Sequence, residues 1–316
     1  MLECLSLIVS FAPLVNGGFE PRVFHKAGPF LKKTACWKDV MPDPMEPLAS
    51  ASVILWRPDP AGEALFEIFL LKRRGKSRFM PNCFVFPGGR VEPHDGDDPF
   101  SEKTLLCCAI RELWEEAGVI LAKDPVAVTS LSDTELGEVR SGLQKGGASL
   151  DDALNRLGLA PGVGFLTPYA RWITPVARKQ RYDTFFYTAQ MPQGQKAVSD
   201  HLETTEGIWI SPLEALRQNE SGEVSLAPPQ VRILGELSVF KELTELDIPA
   251  VESKLEPVLP FLWTDGSTRV ILLPWDPDYE KARPGDLDRL GLGCPADQAT
   301  RLLHSKGRWQ PLRMVA

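Results

Sequence analysis

Residues Phe86–Val119 read FPGGRVEPHDGDDPFSEKTLLCCAIRELWEEAGV, with glycines at one end and a glutamate-rich segment at the other. From Glu102 to Ala117, Leu106, Ile110, Leu113, Trp114 and Ala117 recur at about 100° per residue, the spacing of one helical stripe. Gly118 follows, and glycine readily takes the left-handed conformation that closes a helix. The spacing therefore predicts a helix over 102–117 with one core face. Glu112, Glu115 and Glu116 stand at i, i+3 and i+4 on another side of it, within reach of a common point. Carboxylates so close raise one another's pKa unless a cation relieves them, and hard oxygen donors select Mg2+ or Mn2+ over zinc.

This constellation resembles the Nudix box, in which a glycine and a spaced acid precede R-E-U-x-E-E-x-G-U, with U a bulky apolar residue. Gly89 and the run RELWEEAGV, Arg111–Val119, match it. The interval from Gly89 to Arg111 exceeds the family spacing, which places an insertion within PHDGDDPFSEKT. The first acidic position falls on Asp95 counting from the glycine, or near Glu102 counting back from Arg111; Asp95 is preferred. The resemblance implies an α/β fold, a Nudix-type α/β/α sandwich with a mixed sheet, that holds Mg2+ or Mn2+ against a diphosphate. It makes Glu112, Glu115 and Glu116 the metal ligands, with the Gly88 carbonyl as a further candidate. Arg111 orients a carboxylate and Asp95 anchors the loop. The base that deprotonates the attacking water lies outside the box in such enzymes; Glu203 is the first candidate here and Glu206 the second.

Ahead of the box, FLLKRRGKSRFMPNCFVFPGG sets Lys72, Arg73, Arg74, Lys76 and Arg78 beside the expected phosphate site. It resembles the LL-x-x-R and basic-loop motif of coenzyme A diphosphatases, which implies that Arg74 and Arg78 meet a 3'-phosphate, since guanidinium groups bind phosphate bidentately. From about Ala49 to Tyr279 the chain is similar to the branch containing the peroxisomal acyl-coenzyme A diphosphatases of animals. Within that span Arg171, Arg178, Lys179 and Arg181 are candidate phosphate contacts, Arg171 and Arg181 foremost, and Trp172, Tyr182 and Phe186 candidate stacking partners. Two alternatives stay open: a pyrophosphatase for ADP-ribose or NADH, and a Nudix-fold binding module without catalysis.

The remaining pattern divides the chain into an N-terminal extension over 1–48, a catalytic domain over 49–235 and a C-terminal extension over 236–316 packed on it. Strands are expected in ASASVILWRPD and ALFEIFLLKRR as a hairpin, in NCFVFPGG up to its Pro-Gly-Gly break, and in ARWITP, RYDTFFYTAQM and EGIWI. A helical insertion occupies about 129–161, SPLEALRQNE starts a helix at Ser-Pro, VRILGELSVFKELTEL reads as helical, and a late hairpin turns at Asp265–Gly266.

Across its 316 residues the chain is 43% hydrophobic and 24% charged, with a net charge of -7 at pH 7. That balance argues against a general nucleic-acid binder. The cysteines, Cys4, Cys36, Cys83, Cys107, Cys108 and Cys294, show no metal or disulfide spacing. The apolar N-terminal run lacks a basic n-region and is too short to span a bilayer, and the chain ends RMVA rather than in an SKL-like tripeptide. The expectation is a cytoplasmic enzyme, with a homodimer as the candidate assembly, acting on a small nucleotide diphosphate without nucleic-acid or membrane partners.

Overall fold

Strand β3 (Leu48–Pro58) is buried along nearly its whole length, as expected of a central strand covered on both faces, with the apolar run Val53–Trp56 at its middle. Its residues alternate between faces. Ala49, Ala51, Val53 and Leu55 join the largest core cluster, while Ser50 and Ser52 make polar cross-strand contacts. The structure, a computed structural model, describes residues 7–13, 19–25, 45–76, 80–246, 255–264, 269–282 and 300–312.

Strand β4 (Phe66–Arg73) runs antiparallel to β3 only at its start, where Trp56 faces Ile68 and Pro58 faces Phe66. Beyond that the two strands splay apart, and the segment Phe84–Arg90 fills the fork. Its first part, β5 (Phe84–Val85), pairs with β4, and its second part, β6 (Gly88–Arg90), pairs with Ser50–Ser52 of β3. The Pro-Gly-Gly run expected to end a strand therefore begins one. Pro87 occupies the crossing, where its missing N–H is no loss, and its carbonyl accepts from Val53 N–H at 2.8 Å.

Two further edges complete a mixed seven-stranded sheet. On one, β8 (Tyr182–Gln190) lies parallel to β3 and carries β7 (Thr167–Ile173) antiparallel to itself; on the other, β9 (Thr204–Ile210) pairs with β4.

Helix α1 (Glu102–Ala117) covers one face, with Ser101 capping its N-terminus and Gly118, at φ 72°, accepting the left-handed turn at its end. Leu105, Ile110, Leu113 and Trp114 are almost fully buried against Val53, Leu55, Phe69 and Leu71, each contributing about 1.5–3 kcal/mol by leaving water. The helical insertion is α2 (Pro125–Thr129), α3 (Asp133–Gln144) and α4 (Leu150–Arg156), whose Val139, Leu143, Leu150 and Leu154 belong to the same core. Over the other face, Thr188 Oγ1 donates to the Leu246 carbonyl at 2.7 Å, and Tyr169 donates to Glu236 of α6 (Pro228–Leu237). α5 (Pro212–Ser221) packs on α6.

This compact unit comprises Glu46–Thr174 and Gln180–Val258, so it passes the boundary expected at 235. Ile173 N–H donates to the Val258 carbonyl and Val258 N–H to the Arg171 carbonyl, which adds the segment ending at Val258 to the β7 edge. The long helix expected over 231–246 stops at Leu237 and resumes only as a 3-10 turn, Leu243–Leu246.

The second unit comprises Met1–Met45, Pro175–Lys179 and Leu259–Ala316. It contains an antiparallel pair, β1 (Leu7–Pro13) and β2 (Phe19–His25), in the span read as an irregular extension. It also holds an antiparallel meander of β10 (Phe261–Thr264), β11 (Arg269–Leu272), β12 (Arg301–Ser305) and β13 (Arg308–Leu312). The β10–β11 hairpin is present, and its predicted turn at Asp265–Gly266 lies outside the described residues. The unforeseen β12–β13 pair turns through Lys306 and Gly307, both at positive φ. Short helix α7 (Tyr279–Ala282) packs on Leu272, and Arg301 is held by Asp276 and Asp278 at 2.6–2.8 Å. Among the described residues no helix is long and apolar enough to cross a membrane.

Candidate active site

The fork between β3 and β4 brings Gly88 and Gly89 against α1. A Cβ on Gly88 would lie 2.4 Å from the Ala51 carbonyl oxygen, and one on Gly89 would lie 2.4 Å from Glu112 Oε1. A side chain at 88 would strike the β3 backbone, and one at 89 would displace the Glu112 carboxylate.

Arg111 is buried, with 2% of its surface exposed, and ties loop to helix. Its Nε and Nη2 donate to the two Asp95 carboxylate oxygens at 2.7 and 2.8 Å, and Nη2 also donates to the Arg90 carbonyl at 3.0 Å. Nη1 donates to Glu112 at 2.8 Å and stands 3.4 Å from Glu115. Glu102, the other position weighed for the loop acid, lies in the first turn of α1.

Glu116 is 4% exposed and accepts the Gly88 amide at 2.9 Å. Burial pushes the Glu112 carboxyl up to about 7, with Arg111 opposing and Glu115 and Glu203 adding to the rise. Burial and then Glu112 push Glu116 well above the ordinary range, against the Gly88 amide and Arg73. Glu115 is raised mainly by burial.

The carboxylates do not converge on a single point as their spacing suggested. Arg111 draws Glu112 and Glu115 while the Gly88 amide takes Glu116, and among the described residues no group of His, Cys, Asp and Glu closes into a metal shell. The chemistry of the donor set nevertheless fits a hard divalent ion. Oxygens held at raised pKa by burial gain most from a cation, and the three carboxylates stand on one helix.

Glu203 immediately precedes β9, in a loop that Asp200 organises by accepting the N–H groups of Leu202, Glu203 and Thr204 at 3.0–3.1 Å. Its charge is felt by both Glu112 and Glu116. Glu206 instead faces Lys72 across the β4–β9 ladder, 3.5 Å away at the surface.

Arg73 escaped the sequence ranking, which put Arg74 and Arg78 ahead of it. It ends β4, its Nε is buried without a hydrogen-bond partner, and its charge opposes the rise of Glu116. Arg74 holds the Glu203 loop, donating from its side chain to the His201 carbonyl and from its backbone to the Glu203 carbonyl. Arg78 lies outside the described residues.

Arg171 and Arg181 have other partners than those expected. Arg171 makes a bidentate pair with Asp183 at 2.7 and 2.9 Å and lies over the Phe185 ring, and buried Arg181 donates to the Thr174 carbonyl. Trp172 and Phe186 are core side chains, the latter edge-on to Phe86. Pattern alone could not separate these from ligand contacts, because their partners come from other strands.

Two residues of the insertion also bear on the site. Arg140 Nη2 and Gln144 Nε2 of α3 donate to the Glu115 carbonyl at 2.9 and 2.8 Å, bracing the last turn of α1.

The NUDT19 Nudix domain family matches residues 98–237 and the general NUDIX domain family residues 46–145. Acyl-coenzyme A diphosphatase NUDT19 of Gallus gallus is 31% identical over 289 residues, which span 70% of this chain and 76% of that protein. The chain belongs to the Nudix hydrolase family. The protein of the same name from Homo sapiens is 26% identical over 280 residues, 71% of this chain and 74% of that one. A Nudix hydrolase structure from Alicyclobacillus acidocaldarius, 23% identical, superposes with a TM-score of 0.54 over 65% of this chain and 98% of that chain, which shows the shared fold. In this Nudix hydrolase, then, α1 is the Nudix helix and Gly88–Gly89 open the Nudix loop.

Proposed function

We propose that this Nudix hydrolase cleaves the phosphoanhydride of coenzyme A or an acyl-coenzyme A, releasing 3',5'-ADP and the corresponding phosphopantetheine. The observation that carries the chemistry is the buried Glu112–Glu115–Glu116 face of the Nudix helix, pressed against Gly88 and sensed by Glu203. The coenzyme A assignment is supported by the likeness to proteins named acyl-coenzyme A diphosphatase.

Glu112, Glu115 and Glu116, with the Gly88 carbonyl, would hold Mg2+ or Mn2+. Bound there, the ion supplies charge neutralisation of the diphosphate and acidification of the attacking water. Glu203 takes the proton of that water, its loop fixed by Asp200 and Arg74. Arg111 keeps Asp95 and Glu112 in register with the loop rather than contacting substrate. Arg73, whose Nε has no hydrogen-bond partner, would turn that N–H to a phosphoryl oxygen, and Arg78 reads the 3'-phosphate.

Arg74 is committed to the His201 carbonyl, which favours keeping the ADP-ribose or NADH pyrophosphatase as a second reading, since those substrates lack the 3'-phosphate. Mass spectrometry of products from coenzyme A, acetyl-coenzyme A, ADP-ribose and NADH, with Mg2+ or Mn2+ and with Glu116→Gln as control, separates the two. Release of 3',5'-ADP that is lost in the variant supports the first, cleavage confined to ADP-ribose or NADH supports the second, and silence across the panel leaves a binding module. A cytoplasmic location belongs to the same reading, in keeping with Cys83, Cys107 and Cys108 as free thiols, and cell fractionation tests it.

A further inference from the structure

The second unit contains a group of cations that the hydrolase chemistry does not use. Arg269, His304 and Trp309 stand directly opposite one another across β11, β12 and β13. Arg269 Nη2 lies 2.8 Å from His304 Nδ1 and 3.0 Å from Nε2, and the His304 and Trp309 rings meet edge to face at 4.9 Å. A guanidinium has no acceptor atom, so this contact requires the imidazole to accept and therefore to be neutral. Burial, Arg269 and Arg178 all depress the His304 pKa accordingly.

Arg178 belongs to the same unit, on the turn Pro175–Lys179 where its N–H closes on the Pro175 carbonyl at 3.0 Å, and its charge is felt at His304. It is half-buried, and burial followed by the charge of Arg269 lowers its pKa. Among the described residues neither Arg178 nor Arg269 forms an ion pair, whereas Arg301 in the same unit has both Asp276 and Asp278. Two guanidiniums brought together in partial burial without an acid repel each other unless an anion joins them. Their planar donor forks match the oxygens of a phosphate group, with the neutral imidazole beside them orienting Arg269.

We propose that Arg178, Arg269 and His304 form a phosphate-binding site in the second unit, for inorganic phosphate or for the phosphomonoester of a small metabolite. The site is independent of the Nudix reading, because it uses none of the residues of the Nudix loop or helix.

The test is isothermal titration of the full chain, in chelator at constant ionic strength, with inorganic phosphate and with phenyl phosphate. Saturable binding near one equivalent is expected in the wild type and equally in Glu116→Gln. Arg178→Gln, on a surface turn, and Arg269→Gln should each weaken it about tenfold or more, the usual scale for losing a charge-assisted hydrogen bond, with circular dichroism unchanged. Tighter binding of phenyl phosphate would mark a phosphorylated metabolite as the ligand, and equal binding would mark phosphate itself. Absence of saturable binding, or binding unaffected by Arg178→Gln, would overturn the proposal. Loss of binding in Glu116→Gln would overturn it too, by placing the anion at the Nudix helix.

Discussion

Arg111 shows how much one side chain can be asked to do. Its guanidinium serves Asp95, Glu112 and the Arg90 carbonyl while almost wholly buried. Replacing it by Ala leaves buried Asp95 unpaired, so Arg111→Ala should lose about 3–5 kcal/mol in urea unfolding, as expected when one partner of a buried pair is removed. Glu203 acts differently. Its side chain is exposed, so Glu203→Gln should keep stability while kcat falls about 10²–10⁴-fold, the usual contribution of a general base. The Nudix carboxylates also carry a pH signature. In the unfolded chain Glu112 titrates near its ordinary 4.5, and in the folded chain it is raised to about 7. A raised carboxyl favours folding in its protonated form, so that stability is present at low pH and is lost as pH rises through about 7. In chelator the thermal midpoint should therefore fall between about pH 5 and about pH 8, and Glu116→Gln, which removes one of the mutually repelling charges, should flatten the fall. A midpoint that rises over that interval, or an unchanged slope in the variant, would count against the buried-carboxylate account.

At the scale of elements, the Nudix helix is fastened at both ends. Ser101 caps its start, Gly118 at φ 72° closes it, and Arg140 and Gln144 hold the Glu115 carbonyl from α3. Gly118→Ala should destabilise by about 1 kcal/mol or more, since a Cβ there is strained and would sit 3.0 Å from Arg140 Nη1. The same contacts bear on the insertion, whose place between the Nudix helix and β7 would suit a lid. Val139, Leu143, Leu150 and Leu154 are buried in the core that holds α1. Elements so packed open only with the core itself. Limited proteolysis within 125–156 should thus proceed at the same rate with and without a non-hydrolysed substrate analogue, and marked protection by the analogue would restore the lid.

At the scale of the whole molecule, substrate choice and ligand linkage are the measurable consequences. Reversing the charge of Arg78 should weaken coenzyme A turnover while sparing ADP-ribose; equal loss for both would remove the 3'-phosphate from its role. A ligand that binds only the folded chain stabilises it by mass action, about 2.7 kcal/mol at a hundred times its Kd. Mg2+ should accordingly raise the thermal midpoint of the wild type and do so less in Glu112→Gln. Scanning calorimetry across an Mg2+ titration measures both.

Much of this protein was written in local spacing. The extent of α1, its Gly118 stop and the β3–β4 hairpin follow from periodicity and from residues adjacent in the chain, where helix and strand geometry translate sequence distance directly into space, while the role of RELWEEAGV is what its resemblance to the Nudix box implies. Asp95 as the partner of Arg111 followed from motif counting, although an insertion separates them. What the tertiary structure alone decided depends on contacts between distant segments. The splayed β3–β4 fork makes Gly88–Arg90 a strand, Asp183 engages Arg171 in a bidentate pair, and Lys72 pairs with Glu206. Arg140 and Gln144 brace a helix some 25–29 residues away, as their bonds to Glu115 show. A charged side chain is ligand-ready or spent according to which partner the fold brings within about 3 Å, and that is set by packing, not by its neighbours in sequence.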